Sequence, residues 1–116
     1  MGLSSESARF ERLVAEAIDA LPAWVHQRLD NVDVVIEAHP PRGEPLLGLY
    51  QGVPLTERGN YGWALPDRIT LYRSTIEAEA GGGEEDLKEV VAETVIHEIA
   101  HFFGISDERL HELGRD

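Results

Sequence analysis

Cysteine is absent from this 116-residue sequence. No disulfide can staple the chain and no thiolate metal site can form, so any metal must be held by histidine and carboxylate. Basic residues are scarce too. Ten Lys and Arg stand against 22 Asp and Glu, a formal net charge of −12. A nucleic-acid binder needs a positive footprint to displace phosphate counterions, and an anionic membrane asks for the same, so neither partner is expected. Long apolar runs are missing, and none approaches the ~20 residues that span a bilayer. The start, MGLSSESARFERLVAEA, has no basic leader followed by an apolar stretch. Glu6 stands where a myristoylation signal needs Ser or Thr, which leaves a cytoplasmic protein as the expectation. Methionine occurs once, as Met1.

What is present is ordinary globular composition, 42% hydrophobic and 28% charged. The length suits a single domain over residues 1–116, because one core usually organises ~100–200 residues. Phe10, Leu13, Val14, Ala17, Ile18 and Leu21 step by three and four, the spacing of one helical face. Ser4 or Ser5 is positioned to cap that helix. Pro22 ends it or opens a short second helix through Leu29, with Trp24 and Val25 expected in the core. The β-branched run from Val32 to Ala38 predicts a strand.

Residues 39–68 hold Pro40, Pro41, Pro45, Pro54 and Pro66, which argues against regular helix there, though Leu46–Gln51 suits a short strand. Ile69–Arg73 alternates apolar and polar residues and predicts a clearer strand. After Gly81, Gly82 and Gly83 a long helix is expected. It opens on Glu84, Glu85 and Asp86, acids that complement the positive helix end. Leu87, Val91, Val95 and Phe102 mark its buried stripe, Gly104 its left-handed stop, and Ser106–Leu113 a terminal helix. Helices, strands and then a long helix read as an α+β fold.

The chemistry is concentrated in Thr94-Val-Ile-His97-Glu98-Ile-Ala-His101-Phe-Phe-Gly104-Ile-Ser-Asp107. His97 and His101, at i and i+4, project from one helical face, and both rings can reach one zinc ion at ~2.0–2.1 Å. Glu98 is rotated off that axis, where it can serve a metal-activated water as general base without being a ligand. The opposing reading is two solvated histidines and an exposed carboxylate near a helix end.

The run His97-Glu98-x-x-His101-x-x-Gly104-x-x-Asp107 resembles the zincin metallopeptidases, and specifically the short bacterial zincin-like proteins. Leu65-Pro-Asp-Arg-Ile-Thr-Leu-Tyr-Arg73 is similar to that family as well. The resemblance implies a small twisted mixed sheet packed on an active-site helix, with one Zn2+ near the helix's C-terminal end. It also implies a third metal ligand beyond His97 and His101. Fifteen residues follow His101 in the sequence, which directs the expectation to the metzincin-like position, Asp107. Asp107 competes for a helix-capping role, and Glu108 and His111 are held in reserve as ligands. Metzincins usually place His at this position and carry a Met-turn under the metal, which a chain whose methionine is Met1 lacks.

The function implied is a zinc-dependent metallohydrolase, a peptidase acting on an extended peptide or protein substrate, with Ile69–Arg73 as the candidate edge strand for docking it. The alternative is a catalytically idle zinc-binding adaptor. A metal-dependent nuclease ranks below both, because related nuclease motifs carry Gly for Glu98 and His for Asp107. Two His and one carboxylate also suit iron, and Glu98 beside the first His tilts the choice to zinc. His26, His39 and Tyr72 are expected to be structural or exposed, and Phe102 and Phe103 to be core and wall.

Overall fold

The computed structural model describes residues 5–57 and 66–114. Ser4 and Leu65, and with them one candidate cap and one end of the second family-like segment, lie outside those residues, as does Met1. Helix α1 runs Ser5–Asp19 and a single-turn helix α2 runs Ala23–His26. Strands β1 (Val32–Glu37), β2 (Gly48–Gln51) and β3 (Asp67–Tyr72) are followed by α3 (Arg73–Ala80), α4 (Glu84–Phe102) and α5 (Asp107–Glu112). Among the described residues between β1 and β3, helix is limited to single 3-10 turns at Pro41–Gly43 and Leu55–Glu57, as the prolines demand.

The sheet order is β1-β3-β2. β1 runs parallel to β3 from Val32 opposite Asp67 to Glu37 opposite Tyr72. β2 runs antiparallel to it, from Gly48 opposite Leu71 to Gln51 opposite Arg68. The result is a small mixed α+β fold with a three-stranded mixed sheet. Two expectations change here. Ile69–Arg73 is not an edge: its strand is the central one, Ile69, Thr70, Leu71 and Tyr72 are all buried, and Arg73 begins α3. Despite the alternation of apolar and polar residues, Thr70 and Tyr72 are covered nearly as fully as Ile69 and Leu71.

The core lies between the sheet, α1 and α4. Phe10, Leu13 and Val14 of α1 meet Leu87, Val91, Val95 and Ile99 of α4 and Ile69 and Leu71 of β3. The helical stripe predicted for α4 is buried throughout, with Phe102 at 0% exposure. At ~25 cal/mol per Å2 of apolar surface, each such side chain contributes roughly 1.5–3 kcal/mol. Val25 joins this core, but Trp24 does not. It is 61% exposed and rests its ring 5.7 Å from that of Phe103. On a one-turn helix only one of two consecutive side chains can face inward. Among the described residues no helix is long and apolar enough to cross a membrane.

Candidate metal centre and active site

Two helices joined by one tight turn supply the reactive side chains. His97, Glu98 and His101 lie in the last turns of α4, and Asp107 opens α5. The two imidazoles sit on one face with ring centroids 4.8 Å apart and planes at 81°. Gly104 takes φ +93°, and a Cβ there would collide with the Thr56 side chain. That left-handed residue folds the chain back on itself and brings Asp107 over the histidines.

Ser106 settles the competition for capping. Its Oγ accepts the Arg109 backbone N–H at 3.1 Å, so the Asp107 carboxylate is not engaged as the cap. Instead Asp107 Oδ1 lies 2.9 Å from His101 Nε2 and 3.1 Å from His97 Nε2. One ligand atom from each of the three residues falls within 4.8 Å of the others. Glu108 and His111 are exposed and stay outside this cluster.

The other ring nitrogen of His101 decides what the cluster can hold. Nδ1 lies 2.9 Å from the Ile105 carbonyl oxygen. A carbonyl only accepts, so Nδ1 donates and Nε2 of the neutral ring turns a lone pair toward Asp107. Two acceptors at that separation repel unless a proton or a cation lies between them. Two imidazole nitrogens and one carboxylate oxygen, with a backbone carbonyl orienting one ring, fit a divalent metal such as zinc.

Glu98 sits beside this cluster and apart from it. It is 6% exposed, and the Tyr50 backbone N–H donates to its carboxylate. Burial pushes its pKa above the ordinary carboxylate value. His101 and His97 oppose the rise, Asp107 adds to it, and the Tyr50 hydrogen bond lowers it again. A buried carboxylate held by one backbone donor is a proton acceptor of enhanced basicity.

The contact with Tyr50 depends on a glycine. A Cβ at Gly48 would stand 3.0 Å from Glu98 Cγ, 3.0 Å from Thr94 Cγ2 and 3.1 Å from the Thr70 carbonyl oxygen. With hydrogen there, β2 closes on α4 and delivers the N–H two residues later. Tyr50 is pinned in turn: its hydroxyl donates to buried Asp67 at 2.6 Å, and its ring meets Phe102 edge-on at 6.1 Å. Gly48, Tyr50 and the Ile105 carbonyl carried no functional signal in the sequence. The nearest thing to one was the glycine opening the short run Gly48-Leu-Tyr-Gln51.

The remaining candidates behave as expected. His26 and His39 are exposed. Tyr72 is buried on β3 outside the cluster, and burial, followed by the negative charges of Glu37, Glu44 and Glu98, pushes its hydroxyl pKa up. Phe102 is core and Phe103 half-buried. A cavity of about 550 Å3 opens at His97 and Glu98 and is bounded by residues 45–48 on one side and Leu110 on another.

Comparison with known proteins speaks to the family. The family model described as zincin-like metallopeptidase matches residues 29–115. No curated protein matches the chain. Among solved structures, a conserved hypothetical protein from T. thermophilus is similar at 29% identity with a TM-score of 0.56. That match covers 92% of this chain and 96% of the other.

Proposed function

Because the chain belongs to the zincin-like metallopeptidase family, we propose that it is a zinc-dependent peptidase whose ligands are His97, His101 and Asp107 and whose general base is Glu98. One observation carries the reading: a buried carboxylate of raised pKa, held by the Tyr50 N–H, lies against three converging ligand atoms. When bound, zinc supplies a Lewis acid that polarises a carbonyl and acidifies water. The chain supplies the rest. The Ile105 carbonyl orients His101 so that its Nε2 faces the centre. Glu98 accepts the proton of the attacking water and returns it to the leaving amine. Burial brings its basicity closer to neutrality, which favours both transfers. The cavity beside His97 and Glu98 receives the peptide, and residues 45–48 and α5 hold it against α4.

Zinc content and cleavage of a quenched peptide library test this together. Glu98→Gln is expected to keep stoichiometric zinc and lose roughly 10^2–10^4 in kcat/KM. Asp107→Ala is expected to lose zinc affinity by about 10–100-fold or more, in the range seen when a metal site loses a supporting group. Cleavage that survives Glu98→Gln unchanged removes the base. A zinc-loaded protein that cleaves nothing returns the domain to the adaptor class.

A further inference from the structure

The cavity beside the metal centre extends upstream along α4. Val90, Glu93, Thr94 and His97, the last three at offsets of three, four and seven from the first, line it from one helical face. At 1.5 Å per residue, Val90 lies about 10 Å before His97 along the axis and Glu93 about 6 Å before it. That length matches roughly three residues of extended peptide. Leu46, Leu47 and Leu110 give the walls apolar surface, and Glu79 reaches in from α3.

Away from His97 and the metal it would hold, the charged side chains of this cavity are of one sign. Glu79, Glu93 and Glu98 line it and no Lys or Arg among the described residues does. Other acids nearby are neutralised: Arg73 pairs with Glu77 at 3.3 Å and Arg109 with Glu112 at 3.0 Å. Glu79 and Glu93 form no ion pair among the described residues. Glu98 is committed to the reaction and to Tyr50. Two solvent-exposed carboxylates outside any ion pair among the described residues therefore share a cavity lining with Val90, Leu46, Leu47 and Leu110, and that cavity reaches His97 and Glu98.

A lysine or arginine side chain matches that combination, with an aliphatic stem for the leucine and valine surface and a cationic head for the carboxylates. We propose that Glu79 and Glu93 make this groove a subsite for a basic side chain, placed within about three residues of the scissile bond. The inference rests on reading the cavity as the substrate channel of a peptidase. An acidic side chain in the same place would meet like charge, adding rejection to selection.

The test uses the zinc-loaded full chain and peptides identical except for Lys, norleucine or Glu, scanned over three positions on each side of the bond. Norleucine keeps the stem and removes the charge. At one of those positions kcat/KM is expected to favour Lys over norleucine by roughly three- to tenfold, because partly exposed ion pairs are individually weak. Glu is expected to be the poorest. The Lys preference should shrink with added salt and fall to about one in the Glu79→Gln, Glu93→Gln double variant. Binding of the same peptides to zinc-loaded Glu98→Gln, read by fluorescence anisotropy, separates the two readings. Selective binding of the Lys peptide without cleavage by the unmodified protein would sink the peptidase and leave the subsite standing. Equal binding and equal rates for Lys and norleucine at every position would overturn the subsite, whatever is cleaved.

Discussion

β1 and β2 flank the same central strand and behave differently. β1 is parallel, rich in β-branched residues and half exposed, with Val34 at 40%. It contributes no residue to the metal cluster. β2 is shorter, antiparallel and opens on a glycine where a Cβ would press tightly on Glu98, Thr94 and the Thr70 carbonyl. It presses on α4 and gives Glu98 its backbone hydrogen bond. β-propensity would rank β1 as the better strand, yet the edge that reaches the candidate site is the weaker one. What counts at this site is how closely a backbone can approach a carboxylate, and that favours the smallest residue.

The largest effect that could break this contrast is Gly48→Val. A branched side chain there must push β2 off α4, which is expected to cost about 1–3 kcal/mol of stability and most of the peptide cleavage. Denaturant melts and kcat/KM measure both. A variant with native stability and rate would mean that the glycine is incidental.

Next comes Glu98→Gln, whose loss of activity in zinc-loaded protein is expected to be matched by a gain in stability of the metal-free protein. A folded-state pKa raised above its unfolded value means that native protein binds the proton more tightly. That contribution is therefore present at low pH and fades as pH rises through the unfolded value toward the folded one. At neutral pH the ionised, buried Glu98 is a burden that Gln lacks. Melting temperatures compared from pH 4 to pH 7 should show the variant's advantage growing with pH, and a constant or reversed difference would sink the assignment of burial as the cause.

Tyr50→Phe is smaller. It removes the 2.6 Å bond to Asp67 and leaves the backbone N–H in place. About 1 kcal/mol of stability is expected to go, with cleavage reduced mainly through a loosened β2. Least of all is Val34→Thr on the other edge. It should stay within roughly 0.5 kcal/mol and leave cleavage unaltered, as exposed sites do. If Val34→Thr damaged cleavage as much as Tyr50→Phe, the division between the two edges would fail.

Much of the α4 region was legible along the chain because its contacts are local. A stripe at Leu87, Val91, Val95 and Phe102, two histidines a turn apart and a glycine stop are all consequences of one helical period. Asp107 was legible in part. Its distance from Gly104 and the family resemblance pointed to it, but Ser106 had to take the cap before the carboxylate could face His97 and His101. Other features were hidden. Ile69–Arg73 read as an edge, because alternation reports side-chain chemistry and not which strands lie on either side. Trp24 read as core, because hydrophobicity does not say where a one-turn helix will point.

By itself the sequence determined the ligand chemistry left by the absence of cysteine, the helix bearing His97, Glu98 and His101, and the α+β class. Each follows from composition or from periodicity within one segment. Only the tertiary structure decided that β3 is central and that Gly48 lets β2 reach Glu98. It also decided that Ile105 orients His101, and that an acid-lined groove runs from the centre between α4, α5 and residues 45–48. Those features depend on distances between segments far apart in the chain, which hydrophobic burial sets only when the whole core closes.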